Sequence, residues 1–109
     1  MIVKTWSNGK GSYGVKITMQ DRKQFFKKDW KTVVLEFEGS DVQAKVNVDK
    51  ASFWSPKCGE LINIEIKLWL QDNRLDSWPK DNPHELLLEP LSSRRFLLHK
   101  AIPTSDRSQ

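Results

Sequence analysis

The chain has 109 residues, 38% of them hydrophobic and 29% charged, with a formal net charge of +4. That length holds one domain with a single modest core, and it is too short for a kinase catalytic domain or a complete doubly wound nucleotide fold. The composition excludes a disordered chain, and no apolar run approaches the roughly 18 residues that span a bilayer.

The opening "MIVKTWSN" lacks the apolar centre of a signal peptide, so the cytoplasm, or the nucleus of a eukaryotic cell, is the expected location. A single cysteine, Cys58, excludes an intramolecular disulfide, and His84 and His99 lie too far apart to make a zinc spacing with it. No metal or small-molecule cofactor is expected. Charge is distributed unevenly. Residues 1–34 carry eight Lys and Arg against only Asp21 and Asp29, a local balance of +6, and the remainder is slightly acidic. Such asymmetry fits either a face that meets phosphates or a lysine-rich solvated face.

The first feature in chain order is "GKGSYG" (9–14), which spells the G-x-G-x-x-G pattern of phosphate-binding loops. "YGVKIT" then alternates Val15 and Ile17 with Lys16 and Thr18, the period of a strand. "MQDRKQFFKKDW" changes to helical spacing, which predicts a short helix over about 20–27 with Trp30 anchoring its exit. "KTVVLEFEGSDVQAKVNVD" gives two alternating runs, Val33 to Phe37 and Val42 to Val48, around the turn Glu38-Gly39-Ser40-Asp41. In "SFWSPKCGELINIEIKLWLQDNRL", Ile62, Ile64, Ile66, Leu68 and Leu70 alternate like a strand, yet Cys58, Ile62, Ile66, Trp69 and Leu70 form one helical stripe. Ser55-Pro56 resembles a cap followed by a first-turn proline, so a helix is predicted over 56–72. A proline-punctuated loop follows, then strands "ELLLEPL" and "RRFLLHK" joined at Ser92-Ser93, and a frayed tail over 101–109. The fold class is α+β and mostly β: one domain over 1–100, with a largely antiparallel sheet that could close into a barrel.

Phosphate cradling by G-x-G-x-x-G needs a strand before the glycines and a helix N-terminus after them. Here the glycines precede a strand, and the lysine and aspartates of the kinase version do not follow. The loop nonetheless gathers Lys10, Ser7, Ser12, Asn8, Trp6 and Tyr13, which are donors for phosphates and base edges and rings that stack. A hairpin tip without a ligand is the competing reading.

The order of elements resembles the B-three DNA-binding pseudobarrel of plant transcription factors and of restriction-endonuclease effector domains, over roughly Tyr13 to Leu98. "VKITMQDRKQFF" looks like that family's strand and short helix ending in a double aromatic. "KTVVLEFEGSDVQAKVNVDKASFW" looks like its central hairpin, "LWLQDNRLDSW" like its second helix and "HELLLEPL" like the strand after it. The usual Gly-Asp after the second helix is replaced by Asp76-Ser77-Trp78-Pro79, and the strand between hairpin and second helix is missing or reduced to "KASFW". The resemblance implies an antiparallel pseudobarrel of six to seven strands with two helices, about 20–27 and 56–72. It further implies two arms that grip the major groove of double-stranded DNA. The N-arm maps onto Trp6, Ser7, Asn8, Lys10, Ser12 and Tyr13, and the C-arm onto Asn47, Asp49, Lys50, Ser52, Trp54 and Lys57. Asn8 and Asn47 would suit adenine, Asp49 would accept from cytosine, and the lysines would meet phosphate or guanine. The implied role is regulation of transcription, or recognition within a restriction and defence system beside a nuclease or regulator protein.

Of the five tryptophans, Trp30 and Trp69 sit in apolar patterns and are assigned to the core, and Trp78 to a plug over the loop after the second helix. Trp6 and Trp54 remain for a ligand, and a protein-interaction domain using those two rings is the alternative function. Lys27-Lys28 fits a phosphate contact or a solvated helix end equally. Cys58 is read as a small buried hydrophobe, and His84 and His99 have no assigned role. No catalysis is expected. Asp21 with Asp49 or Glu60 could hold magnesium as in a nuclease, but carboxylates and a lysine on one hairpin are not evident.

Overall fold

A computed structural model describes residues 1–100. The predicted tail over 101–109 lies outside the described residues. Seven strands form one sheet, β1 (Ile2–Ser7), β2 (Tyr13–Thr18), β3 (Thr32–Phe37), β4 (Gln43–Asn47), β5 (Cys58–Ile62), β6 (Glu85–Ser92) and β7 (Arg95–His99). Two helices, α1 (Met19–Phe25) and α2 (Ile64–Asp72), follow β2 and β5. The strand order is β4-β3-β7-β6-β1-β2-β5, antiparallel throughout except for β3 with β7. The two edge strands, β4 and β5, approach each other, so the sheet is a nearly closed barrel and the expected α+β pseudobarrel is present.

Period-two burial explains the closure. Val33, Leu35 and Phe37 of β3, Ala44 and Val46 of β4, Leu86 and Leu88 of β6, and Phe96 and Leu98 of β7 all point inward and are buried. One end of the barrel is filled by three phenylalanines, with Phe26 stacked on Phe96 (4.8 Å, 11°) and edge-on to Phe53 (5.1 Å, 61°). Ile66, Trp69 and Leu70 of α2 cover the other end.

Two predicted elements need correction. The helix expected over 56–72 is β5 followed by the shorter α2. Cys58–Ile62 pairs in register with β2, from Thr18↔Cys58 to Gly14↔Ile62, burying Gly59 and Leu61 in the barrel. The helix cap is Asn63, whose side-chain oxygen accepts from the Glu65 amide at 2.8 Å, and not Ser55 ahead of Pro56. The strand that looked missing before the second helix is therefore present, at 58–62 rather than at "KASFW". The second correction is β1, which was not anticipated. Its inward positions are Val3 and Thr5, and the polar Thr5 hides the alternation. Thr5 is buried because its hydroxyl accepts from the His84 amide and its own amide donates to the His84 carbonyl, both at 3.0 Å.

Asn63 also reaches across the open seam, donating from Nδ2 to the Lys45 carbonyl of β4 at 3.2 Å. Asn63→Ala removes both cap and stitch and is expected to cost about 1–2 kcal/mol. Asn63→Asp keeps the capping oxygen and is expected to recover most of that loss. Urea midpoints of the two variants separate the contributions.

Candidate nucleic-acid interface

The β1–β2 loop, singled out by its composition, and the β4–β5 loop, implied by the family resemblance, stand at opposite ends of one ladder. The β1–β2 loop leaves from the Gly14↔Ile62 end of the β2–β5 pair, beside α2, and the β4–β5 loop enters at the Thr18↔Cys58 end, beside α1. Those two pairs are four residue steps apart on β2, about 13 Å at the usual strand rise. Between them the outer face of β1 and β2 carries Lys4 opposite Lys16, and the same row continues to Glu85 of β6 beside Lys4 and to Glu60 of β5 beside Lys16. A depression of about 350 Å³ lies on this face, lined by Ile2, Lys4, Lys16, Thr18, Lys57 and Cys58 among others. The intervening Lys4 and Lys16 were counted in the basic first third of the sequence but were not picked out as site residues. Without β1 in the predicted fold, nothing put them on a common face.

The β1–β2 loop is held by its own polar groups. Asn8 Oδ1 accepts from the amides of Lys10 (2.7 Å) and Ser12 (3.1 Å), and Ser7 Oγ accepts from Gly9 (3.0 Å). Gly9 and Gly11 take positive φ, 75° and 102°. Both lone pairs of the Asn8 oxygen are thus used within the loop, so a bidentate contact to adenine would require breaking it. Lys10 and Ser12 are exposed at the tip, while Trp6 and Ser7 are half-buried at its base. Tyr13 packs edge-on against Trp78 (6.3 Å, 89°), under the Lys67 ammonium at 5.9 Å. Trp78 meets His84 on another side at 6.0 Å, the plugging position expected of it.

The β4–β5 loop is anchored more strongly. Buried Arg22 of α1 donates from Nη1 to the carbonyls of Phe53 (2.6 Å) and Ser55 (2.8 Å). Trp54 is not a free ring: its Nε1 donates to the Val48 carbonyl at 2.8 Å, and Arg22 and Lys28 lie 5.1 and 5.7 Å from its centroid. Lys28 is therefore part of this loop's surroundings. Asn47, Asp49, Ser52 and Lys57 are exposed. Asn47 Oδ1 accepts from the Asp49 amide (2.9 Å), and Asp49 faces Lys31 at 3.4 Å in a solvent-exposed pair that contributes little. Half-buried Lys50 has its pKa lowered by desolvation, with the charge of Glu60 opposing the shift. The folded chain thus holds this proton less tightly than the unfolded chain. Its destabilising contribution is full below the lowered pKa and fades as pH rises from there toward the ordinary lysine value.

Trp69 is in the core as expected, Trp30 is half-buried against Phe26 (6.1 Å), and Cys58 is half-buried on β5 rather than on a helix. Among the described residues, no three His, Cys, Asp or Glu side chains gather to hold a metal ion, and no helix is long and apolar enough to cross a membrane. Comparison with family models, with curated proteins and with solved structures finds no match to this chain.

Proposed function

We propose that this chain is a non-catalytic, sequence-specific double-stranded DNA-binding domain whose β1–β2 and β4–β5 loops enter the major groove. The observation that carries the reading is the pair of hydrogen-bonded loops, bearing Lys10 and Lys50, at the two ends of a sheet face that itself bears Lys4 and Lys16. The points at which the two loops join the ladder are about 13 Å apart along β2, comparable to the roughly 12 Å width of the groove. Lysines along the face neutralise phosphates and set register, while Asn47, Asp49 and Ser52 offer groups for base edges. Asn8 acts by shaping its loop. In a cell such a domain serves a transcription regulator or the recognition part of a restriction system, in company with a nuclease or regulator protein.

Selection from a random duplex library at two salt concentrations tests this. One enriched motif is expected, with affinity falling steeply as salt rises; no binding at about 50 mM salt overturns the proposal. Lys10→Glu and Lys50→Glu are each expected to weaken binding about tenfold or more and to reduce the salt slope; exposed Lys10→Glu should leave the urea midpoint nearly unchanged, while Lys50→Glu, which sets a half-buried carboxylate near Glu60, should lower it. Unchanged affinity in both variants would show that the two loops are not the contact surface.

A further inference from the structure

A groove of about 360 Å³ lies between α2 and the β3–β4 turn, on the side of α2 away from the β1–β2 loop. Its floor is Phe37 and Trp69, whose rings stand 5.6 Å apart, and the Trp69 Nε1 donor is fixed on the Glu38 carbonyl at 3.0 Å. Val42 and Leu68 line it while each remains 45% exposed. Large aliphatic side chains left in water beside an open groove mark a surface that another molecule covers. Among the described residues the rim carries Glu38, Glu65 and Asp72 against a single ammonium, that of Lys100, in a chain whose overall charge is positive.

We infer that this groove docks a cationic segment of a partner protein, one that seats leucine or aromatic side chains over Leu68 and Val42 and places Lys or Arg against Glu65 and Asp72. The charge argues for this occupant over the others. Nucleic acid would bring phosphates to a carboxylate rim, and two copies of the chain meeting face to face would set the same carboxylates against each other. A rigid floor with an apolar anchor site and a charged rim is the arrangement used by groove-binding peptides. The inference does not rest on DNA binding, because none of the groove residues belongs to the two loops.

Short random peptides displayed on phage and selected on the full chain, with fluorescence anisotropy of the winners, provide the test. Winners should combine Lys or Arg with Leu, Phe or Trp. Their affinity should fall about tenfold or more in Leu68→Asp and in the Glu65→Lys, Asp72→Lys double variant, and stay unchanged in Lys10→Glu. All three substituted groove residues lie at least partly at the surface, and a circular-dichroism melt confirms folding. Winners without cationic residues, no enrichment, or affinity indifferent to Leu68→Asp would each overturn the proposal. So would a concentration-dependent dimer that Leu68→Asp abolishes, since the groove would then be a self-interface.

Discussion

Gly14→Ala is expected to destabilise the fold by about 3 kcal/mol or more, among the largest effects of any single methyl group in this chain. Gly14 is buried on β2 opposite Ile62, and a Cβ built there would collide with the Leu61 carbonyl oxygen of β5. The clash is with backbone, so no rotamer change relieves it, and β5 must move out of the ladder that carries Leu61 into the core. Gly9→Ala makes the informative control: nothing lies within 4 Å of its Cβ position, and only the φ of 75° is strained. That variant should lose about 1–2 kcal/mol. Urea unfolding of both variants, with hydrogen exchange of the β5 amides in Gly14→Ala, checks the contrast. Equal midpoints would mean that the close approach of β2 and β5 is not what requires a glycine at 14.

These two glycines also explain why "GKGSYG" misleads as a motif. Its first two glycines turn a hairpin and its third lets two strands approach, so the spacing arises from two independent steric demands and owes nothing to phosphate. The β3–β4 hairpin was legible because inward Val33, Leu35, Ala44 and Val46 alternate around a Gly-Ser turn, although Val42, in phase with them, lies before β4 and is exposed. β5 and α2 were not separable by periodicity. Isoleucine at 62, 64 and 66 carries the strand's period of two past the strand's end, and buried Ile66 and Leu70 satisfy a helical stripe at the same time. The boundary lies in Asn63, a capping residue that pattern reading passes over when it sits inside an apolar run. Of the candidate interface, the composition of the loops could be read from the sequence. Their placement at opposite ends of one ladder could not, because it depends on the β2–β5 pairing.

The buried Arg22 is the clearest case of a residue whose sequence context conceals its role, and Arg22→Leu is expected to cost about 2–4 kcal/mol. On a short helix among Lys23, Lys27 and Lys28 it reads as one more solvated cation, yet it is 5% exposed. Leucine would fill part of the space but leave the Phe53 and Ser55 carbonyls without their donor, and it would remove the cation from the Trp54 ring. A smaller gain offsets this, because Arg22 Nε is buried with no partner among the described residues. The loss should appear locally first. Amides over 48–57 should exchange faster in the variant while those of β6 and β7 keep their protection, since Arg22 joins α1 to this loop and not to the sheet. Under the DNA reading, affinity should then fall although Arg22 itself is buried away from solvent, because Lys50 and its neighbours would have to be ordered at the moment of binding. Arg22→Lys, which keeps the charge but not the planar guanidinium, should recover only part of both effects. Stability within about 1 kcal/mol of the parent, with unchanged exchange over 48–57, would show that the loop holds its shape without this anchor.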